Sequence, residues 1–196
     1  FKGDTFRVME EDPTRLSKIK GISEKMALDI CGQIMEKRDT REAMVFLESY
    51  GIHSNLAMQV YRQYGSQVYS VIASNPYRMA EDISGVGFKI ADEIASKVGI
   101  SASSEYRIQC GVLYILNQAA SSGHTYLPKE LLLRNTAQML GLDPQDIEAN
   151  LMNMAMEKKI VIRGREDLQV YAGAFYRMEE MTAGVMLALN HNYHVE

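Results

Sequence analysis

A chain of 196 residues has room for one large domain or two small ones. Hydrophobic residues make up 46% and charged residues 23%, with only four prolines, which excludes a low-complexity or disordered chain and points to a largely helical fold. The net charge of −4 excludes a broadly basic nucleic-acid binder: 13 Lys and Arg stand against 14 Asp and Glu before residue 101, and 8 against 11 after it, so any contact with nucleic acid is local.

The two cysteines, Cys31 and Cys110, lie far apart without metal-ligand spacing, and a reducing, cytoplasmic compartment is expected. Neither a run of membrane-spanning length nor a signal peptide is read from the sequence, so no membrane partner is expected. Residues 1 to 13 read as the last helix and turn of a truncated hairpin, and the chain is expected to be a piece of a longer protein.

The chain then repeats itself. "FRVMEEDPTRLSKIKGISEKMALDI" (6 to 30) aligns with "YSVIASNPYRMAEDISGVGFKIADEI" (69 to 94). Val8 matches Val71, Pro13 matches Pro76 and Arg15 matches Arg78. After one inserted residue Gly21 matches Gly85, Lys25 matches Lys89 and Ala27 matches Ala91. A looser copy, "LESYGIHSNLAMQVYRQYG" (47 to 65), places Gly51 and Ala57 at the same spacing. Each unit reads as a short helix, a glycine turn that admits positive φ, and a second helix whose alanine allows close packing. Such a hairpin cannot bury its apolar face alone, so several are expected to pack together.

The turn delivers the start of a helix with its first N–H groups unbonded, a natural seat for phosphate oxygens. In "GVGFK" the candidates are Gly85, Val86, Gly87 and Lys89: backbone donors, a position with no side chain to obstruct a nucleic-acid backbone, and a point charge. The first copy offers Gly21, Ile22, Ser23 and Lys25, with a serine hydroxyl in place of the second glycine. The middle copy has His53 and Asn55 at these places and reads as structural. A clamp of this kind holds backbone and carries no base sequence information. The same turns also suit plain helix packing, with Lys25 and Lys89 as solvated residues.

After "GISASSEYR" the pattern changes. Ser101 to Ser104 read as a linker or cap. Helices are expected near residues 107–121, from Pro128 to about 140, and over 144–158, the last capped by Asp143. A short extended piece falls in "SSGHTYLP", and "KKIVIRGREDLQVYAG" alternates, turns at 164 to 167 and alternates again, as a β-hairpin does. Three helices and a two-stranded ribbon make a winged-helix-like layout. Its third helix carries Asp146, Glu148 and Glu157, which suits a structural or protein-contact module better than a groove reader. A last helix runs from Tyr176 to about 190. The expected architecture is mainly α: tandem helix-hairpin-helix repeats over 1–100, a winged-helix-like unit with one β-hairpin over 101–175, and a C-terminal helix over 176–196.

"NPYRMAEDISGVGFKIADEIA", "REAMVFLESYGI" and "GHTYLP" together resemble the N-terminal region of the RecD-like family of ATP-dependent DNA helicases, the exodeoxyribonuclease V alpha subunit family. The resemblance runs over essentially the whole chain. It implies an accessory region that holds DNA, single-stranded or at a junction, beside a 5′–3′ motor that uses ATP and magnesium and serves DNA recombination and repair. On the matching positions it carries over Gly85, Val86, Gly87 and Lys89, and with departures Gly21, Ile22, Ser23 and Lys25. The motor signature "GxxxxGK[ST]" is absent, so neither ATP hydrolysis nor a cofactor is expected of this stretch.

Other chemistry is set aside. His191 and His194 have metal spacing, but no carboxylate or cysteine cluster joins them before the end, and a frayed tail is the better reading. Asp92 and Glu93 lie inside the hairpin's own second helix, which argues against a base-excision enzyme. Two readings stay open: a non-catalytic, sequence-independent DNA-binding region, and a scaffold that packs on the motor or a partner without touching DNA.

Overall fold

The computed structural model describes residues 5–191 and divides between Ser74 and Asn75 into two compact units. In the first unit, α1 (Thr5–Glu11) leads to a 3-10 turn opened by Pro13 and ending at Lys18. Proline belongs at such a start, where its missing N–H has no partner to lose. The chain turns at Gly21 and enters α2 (Glu24–Ser49), 26 residues or about 39 Å long. One continuous helix thus closes the first hairpin and opens the second. It ends where Gly51, at φ +88°, donates to the Glu48 carbonyl at 2.9 Å and Ile52 donates to the Leu47 carbonyl at 3.2 Å. A left-handed residue there returns the last carbonyls of the helix to backbone donors. α3 (Ser54–Tyr64) packs back on α2, and a 3-10 turn leads into α4 (Val68–Ser74). Leu16, Ala27 and Cys31 form the buried contact of the first hairpin.

The second unit begins with α5 (Arg78–Asp82), the turn at Gly85 and α6 (Phe88–Val98). α7 (Glu105–Ser121) follows, then β1 (Tyr126–Pro128), α8 (Lys129–Leu140) and α9 (Pro144–Met156). β2 (Ile160–Arg163), β3 (Gln169–Ala172) and α10 (Gly173–His191) complete it. Caps mark the helix starts: Ser104 accepts from the Arg107 N–H at 3.3 Å and Asp143 from the Gln145 N–H at 2.9 Å. The strands form one antiparallel sheet in the order β1-β3-β2, with Leu127 opposite Val170 and Ile162 opposite Val170 on its other side.

The core of this unit joins Phe88, Ala91 and Ala95 of α6 to Ile108, Val112 and Leu116 of α7, Leu132 and Leu140 of α8, Ile147 and Met154 of α9, and Val170 of β3. The third hairpin therefore shares its core with the helices and sheet that follow it. The contact boundary falls at residue 74/75, not at the expected repeat boundary near 100, because Tyr77 and the buried face of α6 belong to this later core. The sheet also differs from the expected two-stranded ribbon. The piece in "GHTYLP" pairs with β3 as a third strand, and Pro128, which lacks an N–H, ends that strand and caps α8.

Candidate nucleic-acid interface

The three aligned glycines share one conformation. Gly21, Gly51 and Gly85 have φ of +98°, +88° and +99°, the left-handed region that a side chain disfavours. Six residues on, Ala27, Ala57 and Ala91 are all fully buried. The alignment of copies one and three extends to their hydrogen bonds: the Ile22 N–H donates to the Ile19 carbonyl and the Val86 N–H to the Ile83 carbonyl, each at 3.1 Å.

Those two bonds alter the expected donor set. The amides of Val86 and Ile22 point at the protein's own carbonyls and are not offered outward. Val86 is an anchor, 3% exposed, and its neighbours in sequence, Gly85 and Gly87, face solvent. Phe88 is buried again, stacked 6.2 Å from Tyr77 and tilted at 5.5 Å against Tyr114. The alternation pins the turn through Val86 and Phe88 and leaves the helix start open. Ile90 and Ala91 donate to the Gly87 carbonyl at 3.1 and 3.2 Å, so the N–H groups of Phe88 and Lys89, ahead of them, have no carbonyl of their own helix to reach.

Gly87 is the N-cap of α6, at φ −91° and ψ 172°, extended backbone open to any residue. A Cβ placed there meets nothing within 4 Å. Neither backbone strain nor packing within the chain requires glycine at 87, in contrast to 85. No side chain caps α6 in its stead. Lys89, one position into the helix, is exposed and has no ion-pair partner among the described residues.

The first copy is built differently at the same place. The Ser23 hydroxyl accepts from the Met26 N–H at 3.2 Å as the N-cap of α2, so its lone pair already serves its own helix. Lys25 is exposed beyond it. In the middle copy the Ser54 hydroxyl at the start of α3 donates to the Glu48 carboxylate at 2.7 Å. A carboxylate held at a helix N-terminus fills by charge the place a phosphate would take.

The third hairpin is held by a group that the sequence does not announce. The Asp92 carboxylate on α6 accepts from Arg107 Nε at 2.8 Å and Nη2 at 3.2 Å on α7, and from the Tyr77 hydroxyl at 2.7 Å. Arg107 Nη1 also donates to the carbonyls of Ala102 and Leu140, both at 3.0 Å. Partial burial raises the Asp92 pKa, but the hydrogen bonds from Arg107 and Tyr77 outweigh it and hold the carboxyl below its ordinary value. Burial, then the bond to Asp92, pushes the Tyr77 hydroxyl well up. Three hydrogen bonds from two other segments of the unit thus orient the hairpin through Asp92. A second tie runs from Lys159, beside β2, to the Gln109 side chain at 2.8 Å and to Glu157 and Glu81 at 3.0 and 3.6 Å. Arg107 and Lys159 lie 15 and 78 residues from the partners they hold on the hairpin, beyond the reach of any local pattern.

Among the described residues no cluster of His, Cys, Asp and Glu could hold a metal, and His194 lies outside them. Burial pushes the Cys110 thiol up to about 12, so it is no nucleophile at neutral pH. Among the described residues no helix is long and apolar enough to cross a membrane.

A helical segment, a left-handed glycine and a second helix, found three times with a buried alanine at one spacing, make up helix-hairpin-helix units. Residues 36–126, which include the second and third hairpins, match the family described as the ATP-dependent RecD2 DNA helicase HHH domain. The chain is also 22% identical over 130 residues, 66% of its length, to the ATP-dependent RecD2 DNA helicase of Deinococcus radiodurans. The aligned stretch covers 18% of that relative, so the chain spans well under a quarter of the length of the curated protein it matches. Both likenesses support an N-terminal RecD-like region with helix-hairpin-helix units. The first hairpin, at Gly21, lies outside the matched segment.

Proposed function

We propose that this region binds DNA through the phosphate backbone and without sequence specificity, as the accessory part of an ATP-dependent 5′–3′ helicase of DNA recombination and repair. The observation that carries the reading is Gly87: an exposed helix start that no side chain caps, at a position where neither backbone strain nor packing inside the chain requires glycine. A missing side chain there lets another backbone approach the Phe88 and Lys89 amides, and the Lys89 ammonium adds charge at the same spot. The contact set is Gly85, Gly87 and Lys89 with the Phe88 amide. Val86 serves it from below as an anchor. Gly21, Ser23 and Lys25 form a weaker second set, since Ser23 already caps its own helix and the Ile22 amide, like that of Val86, is spent on a carbonyl of the turn.

ATP and magnesium belong to a motor outside this chain, which carries no phosphate loop, and a cytoplasmic location goes with that role. The order helix, strand, helix, helix, strand, strand with β3 central supports reading residues 101–175 as a winged-helix-like unit. Its α9 bears Asp146, Glu148 and Glu157 on or beside it, so we assign it to support and not to groove reading.

The test is titration of DNA with the chain at several salt concentrations. Neutralising two or three phosphates gives a slope of log K against log salt of about −1.5 to −3. Lys89→Glu lowers affinity on all sequences alike. No binding at low salt, or a Lys89→Glu variant that binds as well as the parent, overturns the reading in favour of a protein-contact scaffold.

A further inference from the structure

Beside the third turn lies a groove of about 270 Å³ between α5, the start of α6 and α7. Its apolar wall is Ala80, Phe88, Cys110, Leu113 and Tyr114; Glu81, Asn117 and Gly87 complete the lining. Gly87 thus belongs both to the open helix start and to the groove. The lining offers a phosphate no cation: its one ionised group is the Glu81 carboxylate, an acceptor. It is right for a flat heterocycle. The half-buried Tyr114 ring offers a π-surface, and the Asn117 amide and the Glu81 carboxylate offer acceptors, and in Asn117 donors, to the N–H and C=O edges of a base.

Side chains on both sides of the groove have partners within the unit. Glu81 is tethered by Lys159, which is anchored in turn on Gln109 of α7, and the Tyr114 hydroxyl accepts from Gln118 at 2.9 Å. Phe88 braces the Tyr114 ring from beneath at 5.5 Å. A preformed wall costs little reorganisation when a ring slides against it.

We propose that this groove receives an unpaired nucleobase of the strand whose phosphate sits at Gly87, so that the third hairpin holds single-stranded DNA in preference to duplex. The inference rests on the phosphate reading above and adds a stacking contact to it. A paired base, with its edge and both faces engaged in the duplex, cannot enter. An unpaired base adjoining the bound phosphate can, without loss of pairing. Base identity matters little to stacking, because every base has a π-face.

The experiment compares the 196-residue chain on three probes of equal phosphate count: a mixed-sequence single strand, the same strand with abasic sites throughout its centre, and a duplex of half that length. The intact single strand is expected to bind roughly five- to a hundred-fold more tightly than the abasic strand, the range of a single stacked base. Tyr114→Trp gives a chain with one tryptophan, since the parent has none, and its fluorescence is expected to change with the intact strand and not with the abasic one. Equal affinity for intact and abasic strands, with Lys89→Glu still weakening both, overturns the groove and leaves the phosphate grip standing. Binding to no DNA, or indifference to Lys89→Glu, overturns the phosphate reading and the groove with it. The abasic comparison needs no variant, so a poorly folded Tyr114 substitution does not shield the proposal.

Discussion

Two glycines, two residues apart, do different work in the third hairpin. At Gly85 the backbone sits at φ +99°, where an L side chain is strained. At Gly87 it is extended, and the space around a Cβ is empty. Gly85→Ala is therefore expected to lower stability by about 1–2 kcal/mol, read as a shift of the urea midpoint. Gly87→Ala is expected to cost only about 0.5 kcal/mol, because alanine is the poorer N-cap, while weakening DNA binding more than Gly85→Ala does when both are measured well below their unfolding midpoints. If Gly87→Ala leaves binding intact, close approach at this residue is not the reason for the glycine. The sequence shows both residues as one "GVG" string. Only φ and the surrounding space separate a glycine required by the fold from one required by something outside it.

At the scale of the element, the three hairpins diverge at one position, the N-cap of the second helix: Ser23, His53 and Gly87. Ser23 gives its acceptor to Met26. Ser23→Ala is expected to destabilise the first hairpin by about 1 kcal/mol, and Ser23→Gly by only a few tenths, by the same urea measurement. Ser23→Gly also removes the side chain over the helix start and recreates the arrangement of the third copy. It is expected to raise DNA affinity, and unchanged affinity would mean that the first hairpin takes no part. The repeat itself was legible in the sequence because glycine spacing and the buried Ala27, Ala57 and Ala91 are local requirements of helix packing. That the 26 residues of α2 serve two hairpins was not, since a continuous helix and two helices joined by a tight turn share much of the same periodicity. The strand at Tyr126–Pro128 was likewise visible only as an extended piece, because its partner lies more than 40 residues away.

For the second unit as a whole, the Asp92–Arg107–Tyr77 group joins the hairpin to the helices behind it, and this gives stability a pH dependence. The Asp92 pKa is lower in the fold than in the unfolded chain, so the folded state binds the proton less readily. Its contribution is complete above the ordinary carboxylate range and is lost as pH falls through the folded value. Urea midpoints taken from pH 7 down to pH 3 are expected to fall, and Asp92→Asn to reduce that fall. Arg107→Ala, which leaves the carboxylate half-buried and short of two donors, is expected to cost about 2–3 kcal/mol at pH 7. An Arg107→Ala variant as stable as the parent would remove this group from the account of what positions the turn.

The sequence by itself determined the mainly helical class, the three turns, the β-hairpin and the RecD-like resemblance. These depend on spacings of a few residues, at which glycine, alanine and apolar periodicity act directly on the backbone. Tertiary structure decided which amides point outward, which helix ends are already capped, and that the third hairpin is built into the core of the following helices and sheet. It also decided that Tyr114, Asn117 and Glu81 line one groove with Gly87. Each of these depends on groups brought together from distant parts of the chain, and orientation of a donor or a ring is a property of that packing, not of the residue.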